Sequence, residues 1–355
     1  MEFESIENEL FMAIDRGDMP AVTHYLKQNP DLTQVNNQRD TVLHTYFKSL
    51  MNARTPFVIR MNYYESNNAT AREVQKLNEA WFHEVNRRRP IFDALLENLP
   101  PEMINRRDMQ GYTLLLCAVE MNLNYEAKEL YMRGADPLIR TFDYHFGVVE
   151  MAAYQNNVSL LDFFYREKKA PSVKPVRVAE LAEEHRHTFF RHRTPMMAAC
   201  MHGSLEALRY LYQQEPETLN DQDRNGDTAA LLCVRADSCA NWARMKNVLM
   251  DFETNQGRLN CLNFLLDKGV RVDTVNLEKR TLLDYARGQR LNCLEKVEAL
   301  YLAQAGHLPQ DDHDPEKIHQ QSLRSFAAMT KSAETARKRR AKLAAWRRSQ
   351  RDRAD

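Results

Sequence analysis

The chain has 355 residues, 43% of them hydrophobic and 28% charged, and its 49 basic and 49 acidic side chains cancel. There is no run of about eighteen apolar residues, and the acidic start Met1-Glu-Phe-Glu4 lacks the basic and apolar regions of a signal peptide. A membrane-spanning or Sec-secreted protein is therefore not expected, and the cytoplasm is the expected location. The six cysteines, at 117, 200, 233, 239, 261 and 293, contain no CxxC pair, which reads as free thiols in a reducing compartment.

In chain order, residues Phe3 to Asn37 read as a degenerate pair of short helices, with Ala13, Gly17, Val22 and Leu26 in register. Glu2, Glu4, Glu7 and Glu9 make its outer side wettable, as the end of a stack requires. A second pair opens with Asp40-Thr-Val-Leu-His44 and is interrupted by an insertion near residues 51–89. That insertion holds a helical run from Thr70 to Arg88, with Val74, Leu77, Trp81 and Val85 on one face, before outer-helix character resumes at Pro90. Trp81 and Phe82 form either the small core of a projection or part of a binding surface. The third pair, Asp108 to Asp136, is nearly complete. The fourth, Phe142 to Lys169, keeps Ala152 and Ala153 but loses its Thr-Pro opening. A further insertion spans 171–192, with His185, His187 and Arg191 to Arg193, and reads as a basic surface loop rather than a metal site. The fifth pair is Thr194-Pro-Met-Met-Ala-Ala-Cys-Met-His-Gly203 followed by the leucines 205, 208 and 211. The sixth starts at Asp223 and is interrupted near 236–258, where Trp242, Met245, Val248 and Leu249 fall at helical spacing. A seventh runs from Asn276 to about Gly306.

Aligned on one slot, these units begin at Asn8, Thr41, Thr113, Gly147, Thr194, Thr228 and Thr281, separated by 33, 72, 34, 47, 34 and 53 residues. Three intervals are a single period and three are a period plus an insertion. The motif Arg258-Leu-Asn-Cys-Leu262 also returns as Arg290-Leu-Asn-Cys-Leu294. The Thr-Pro-x-x-Ala-Ala-x-x-x-Gly core at 194–203 and this period near 33 resemble the ankyrin repeat. The resemblance implies an all-α fold: an ankyrin-repeat solenoid of about seven helix-pair units over residues 1–306, with helical insertions and a basic C-terminal tail. It also implies that His44 hydrogen-bonds between neighbouring loops.

An acidic linker over 307–317 precedes a helix-permissive tail, 318–355. From Lys331 to Asp355 ten basic residues, among them Arg337, Lys338, Arg339, Arg340, Arg347 and Arg348, face three acids, a net of +7. Such a tail is a nuclear-import patch, an arm for nucleic acid or an anionic membrane, or simply solvated.

The sequence has no phosphate loop, HExxH, GxSxG or kinase signature. No cofactor, metal or small-molecule substrate is expected, and catalysis would need a Cys–His site built from the insertions, such as Cys239 with His83 or His185. The resemblance implies instead a non-enzymatic module that binds a partner protein through the concave ankyrin face. Its expected contacts are the residues before each threonine (Asp40, Tyr112, Phe146, Arg193, Asp227 and Arg280) and the inner-helix residues Glu120, Tyr154, Met201 and Arg235. In style, divergent repeats with large insertions resemble ankyrin effectors that intracellular bacteria deliver into host cells. A eukaryotic cytosolic or nuclear scaffold is the alternative.

Overall fold

The computed structural model describes residues 6–66, 71–142, 146–166, 193–235, 252–289 and 291–309. Among these residues there is no β-strand, and fourteen α-helices follow one another. Residues 1–282 form one compact unit and residues from Leu283 onward a second.

The first unit is a stack of helix pairs. These are α1 (Ile6–Arg16) with α2 (Met19–Leu26), α3 (Val42–Ser66) with α4 (Ala71–Asn98), and α5 (Leu114–Glu120) with α6 (Asn124–Met132). They continue with α7 (Val148–Tyr154) and α8 (Val158–Arg166), α9 (Pro195–His202) and α10 (Leu205–Gln214), then α11 (Ala229–Val234) and α12 (Phe252–Asp267). The second unit holds α13 (Leu282–Gln289) and α14 (Leu294–Ala305).

The repeating threonine starts the first helix of each pair. Its hydroxyl accepts from the backbone N–H three residues on: Thr41 from His44, Thr113 from Leu116, Thr194 from Met197 and Thr228 from Leu231. That satisfies one of the donors every helix start leaves open. The fourth pair has Gly147 in this slot, and a different side chain serves. Glu150 reaches back to accept from the Gly147 N–H at 3.1 Å, and Arg140 holds the carboxylate at 2.8 Å. In the first pair the helix begins before the slot, so Asn8 lies inside α1.

In four of the pairs the chain reverses between the helices through one residue of left-handed backbone. Gly17 and Gly203 take it at φ +70° and +84°, and Asn122 and Asn156 take it at 60° and 56°. Asparagine is the side chain best suited to replace glycine there.

The second pair departs from the expected shape. The insertion is no separate helix. It prolongs the first helix as far as Ser66 and starts the second at Ala71, so two long helices leave the stack side by side. Pro56 and Pro90 lie within them rather than ending them. Trp81 packs edge-on to Phe57 at 5.7 Å between centroids and lies under the Arg54 guanidinium, while Phe82 beside it is 61% exposed. The insertion at 171–192 lies outside the described residues, as do residues 236–251 with Trp242, Met245, Val248 and Leu249. Cys117, Cys200, Cys233, Cys261 and Cys293 are free thiols, and Cys200, Cys233 and Cys261 are buried.

Candidate functional site

The loops joining one pair to the next share a construction. Four of them open with Asn or Asp, whose side-chain oxygen accepts from two backbone N–H groups further on, while the loop into the fourth pair uses Thr141, whose hydroxyl accepts from the Phe146 N–H at 3.1 Å. Asn36 receives Gln38 and Asp40, Asp108 receives Gln110 and Tyr112, Asp223 receives Asn225 and Asp227, and Asn276 receives Glu278 and Arg280. The opening N–H in turn donates to the carbonyl four residues later, for example Asp108 to Tyr112 at 2.9 Å. The residue before the last in each loop is left-handed: Arg39, Gly111, Gly226 and Lys279.

This clamp bears on the expected contact set. The residue before Thr41, Thr113, Thr228 and Thr281 is not the tip of the loop but its clamped inner end. Asp40, Tyr112, Phe146, Arg193 and Asp227 are buried, and Arg280 is half-buried. The inner-helix positions Glu120, Tyr154, Met201 and Arg235 are buried as well. Tyr112, Tyr154, Arg193, Asp227 and Arg235 meet a neighbouring repeat. Tyr112 gives its carbonyl to His44 Nε2 at 3.1 Å, the bond between neighbouring loops that the sequence implied. Phe146 packs on Tyr154, and Tyr154 on His202. Arg193 donates to Asp223 at 3.4 Å and lies 2.8 Å from the Met201 sulfur. Arg235 binds both oxygens of Asp227 and reaches Glu278 in the next loop, while Asn276 donates to the same Asp227. Burial pushes the Asp227 carboxyl up, and Asn276 and Arg235 work against it. These side chains hold repeat to repeat. Arg337, Lys338, Arg339, Arg340, Arg347 and Arg348 lie outside the described residues, as do Cys239 and His185.

The exposed positions are one to three residues earlier in the loops. Met109 is 65% exposed and Leu277 76%. Phe142 also stays exposed at the rim while its ring covers Gly111, where a Cβ would come within 2.6 Å of it.

Below the first of these loops lies a cavity of about 960 Å³. Its floor comes from α1, α3 and α5, through Met12, Thr45, Lys48, Met51 and Glu120, and its wall from the loops at Asn36–Asp40 and Asp108–Tyr112. Lys48 bridges the two loops, 2.6 Å from Asp40 and 4.0 Å from Asp108. The Thr45 hydroxyl is buried in this floor, at 9% residue exposure, and has no hydrogen-bond partner. The loop clamps could have been found in the sequence, because Asn or Asp stands five residues before Thr41, Thr113, Thr228 and Thr281.

His44 gives this site a pH dependence. Its Nε2–H donates to Tyr112 and its Nδ1 accepts the Thr41 hydroxyl at 2.9 Å, so the ring is neutral and protonation would place a donor against a donor. Burial holds it below the usual 6.5. The folded chain therefore binds this proton less readily than the unfolded one. The stability involved is fully present above about pH 6.5 and is lost as the pH falls below it toward the folded value. The urea midpoint is expected to fall more steeply between about pH 7.5 and about pH 5.5 in the native chain than in His44→Gln. Equal slopes would remove His44 as the cause.

The family model described as ankyrin repeats (3 copies) matches residues 149–245. Among solved structures, the ankyrin repeat domain of human ASB11 is similar at 14% identity, covering 82% of this chain and 96% of that one, with a TM-score of 0.51. The ankyrin repeat domain of Bcl-3, of the IkappaB protein family, matches at 15% identity over 84% of this chain and 99% of that one, with a TM-score of 0.46. No curated protein matches the sequence. With its capped inner helices and clamped loops, the chain has the fold of an ankyrin repeat domain, and its residues 149–245 match the ankyrin repeats themselves.

Proposed function

We propose that this chain is a protein-interaction module whose cavity under the first loops, together with the exposed loop tips, receives a segment of a partner protein. One observation carries the reading. The inner helices leave an open cavity at the loop side of the stack, lined by Met12, Lys48 and Met51 and walled by two clamped loops. Apolar tips such as Met109 and Leu277 add surface that burial against a partner would stabilise. None of the described chemistry calls for catalysis, and no enzymatic step is proposed. No described helix is long and apolar enough to cross a membrane.

The setting we propose is the cytoplasm of a host cell, with the protein acting as an effector delivered by an intracellular bacterium. What supports it is the divergence of the repeats and the pair of prolonged helices in the second of them.

The test uses surface positions only. A combined Met51→Glu, Met109→Glu and Leu277→Glu variant is expected to keep its circular dichroism spectrum and melting cooperativity. It should lose the proteins that the native chain captures from host extract, each lost anchor costing roughly 1–2 kcal/mol or more. Capture of the same proteins by the folded variant would overturn the assignment.

A further inference from the structure

The loop that enters the third pair differs from its neighbours just before the clamp. It carries Arg106 and Arg107 there, where the loops on either side carry Gln34-Val35 and Ile139-Arg140. Both arginines are exposed, and among the described residues neither has an acidic partner. Arg107 is nevertheless held in place. Its guanidinium lies over the Phe142 ring, 5.1 Å from the centroid, and that ring is itself pressed onto Gly111. Phe142 remains 49% exposed. Stacking on a ring spends none of the five guanidinium N–H donors. It also removes part of the side-chain freedom that an incoming acceptor would otherwise have to freeze.

The acids around this pair are turned to other work. Asp108 accepts from the Gln110 and Tyr112 N–H groups of its own loop and lies 4.0 Å from Lys48. Asp136, whose N–H meets Asn105, accepts from Leu138. Glu150 is bonded to Arg140. Glu102 is exposed on the short turn Pro101–Met103 ahead of the loop, and Asp143 lies outside the described residues. Arg133, also exposed, donates to the Leu96 carbonyl at 3.3 Å. The exposed charges described here are therefore Arg106, Arg107 and Arg133 against Glu102, which favours an anion. The flanking loops add no free guanidinium to the pair, since Gln34-Val35 is uncharged and Arg140 is spent on Glu150. A nucleic-acid strand needs a track of cations along several phosphates, and this patch is confined to one loop. A short acidic peptide needs only one guanidinium beside exposed apolar surface, and Phe142 and Met109 supply that surface.

We propose that Arg107, set on the Phe142 ring, receives a carboxylate from an acidic segment of the partner protein. Arg106 adds to the attraction, and Phe142 and Met109 take an apolar side chain next to that acid. The inference rests on the loop-side reading above and adds to it the charge of what is bound. The planar fork of Arg107 matches the two oxygens of a carboxylate, a pairing that a lysine in its place would not reproduce.

The experiment uses the full chain and a fluorescein-labelled, capped Glu-Leu-Glu peptide, with Gln-Leu-Gln, Glu-Gly-Glu and Lys-Leu-Lys as controls. Binding is read from the anisotropy of the label and located by the Nε–H resonance of Arg107. The Glu-Leu-Glu peptide should bind saturably and shift that resonance, and Gln-Leu-Gln and Lys-Leu-Lys should do neither. Glu-Gly-Glu should bind about threefold more weakly or worse. Arg107→Gln should weaken the Glu-Leu-Glu peptide about tenfold or more, and Arg107→Lys should recover little of it. Both variants change an exposed side chain outside the clamp and should keep the native circular dichroism spectrum. No saturable binding, equal binding of Gln-Leu-Gln, unchanged binding by Arg107→Gln, or tighter binding of a short thymidylate of equal charge would overturn the proposal. If the triple methionine and leucine variant loses its host proteins while Glu-Leu-Glu fails to bind the native chain, this inference falls and the loop-side reading stands. The reverse pattern overturns that reading and leaves the acidic-peptide site in place.

Discussion

Replacing Gly257 by alanine should destabilise the protein by roughly 1–3 kcal/mol, although alanine is the better helix former by about 1 kcal/mol. Gly257 lies within α12, where a glycine has no conformational use. Its use is proximity. A Cβ there would sit 2.6 Å from the carbonyl oxygen of Gly203, and a Cβ on Gly203 would sit 2.6 Å from the Arg258 nitrogen. The obstructing atoms are backbone, so no side chain can rotate away, and α12 would have to move off the end of α9. Gly203→Ala should cost more, about 2–4 kcal/mol, because Gly203 is also left-handed at φ +84°. Urea unfolding of the two variants checks this. A neutral or stabilised Gly257→Ala, behaving as an ordinary exposed helix glycine would, contradicts the close approach.

The next residue carries the other large effect. Arg258 is buried, and its Nη2 donates to the carbonyls of Leu232 at 3.2 Å and Arg235 at 2.8 Å. Those carbonyls end α11, a six-residue helix too short to hold itself. The guanidinium replaces the missing next turn, and its charge meets the negative end of the helix. In Arg258→Ala two buried acceptors lose their donor and a large volume empties. A loss of roughly 3–5 kcal/mol is expected, a sizeable part of the 5–15 kcal/mol typical of a folded domain. Arg258→Lys should recover less than half, since the shorter stem leaves its ammonium short of the place from which Nη2 meets both carbonyls. A denaturation midpoint for Arg258→Ala within experimental error of the native chain would mean that the cap is dispensable.

The sequence made the repeat legible because the repeat is local. Thr41, Thr113, Thr194 and Thr228 cap the helices that follow them within three residues, so their spacing shows directly where helices begin. Arg258 was visible as part of a motif that recurs at 290, but its role depends on carbonyls more than twenty residues earlier in the chain. The burial of the expected contact residues was hidden for a similar reason. Tyr112 and Arg193 have the chemistry of interface residues, and the sequence pattern does not show that a loop clamp turns one inward or that Asp223 and Met201 receive the other. The prolonged helices were masked by Pro90, which reads as a helix start and lies inside α4. Glu126 looked like one more acid in a helix's first turn. Its burial comes from Arg89 and the wall of α4, thirty-seven residues away in the chain.

The loop clamps bear on how such a chain can change over generations. In each clamp the shape is set by the first residue and by backbone groups, so the side chains at 37 and 38, at 109 and 110, or at 225 contribute little to it. Mutations at these positions are nearly invisible to folding, while mutations at Asn36, Asp108 or Asp223 are not. Selection for a new partner can therefore explore the tips one substitution at a time without first raising stability. The loops are written partly in fixed letters and partly in free ones, and a lineage can rewrite the free ones without losing the fold.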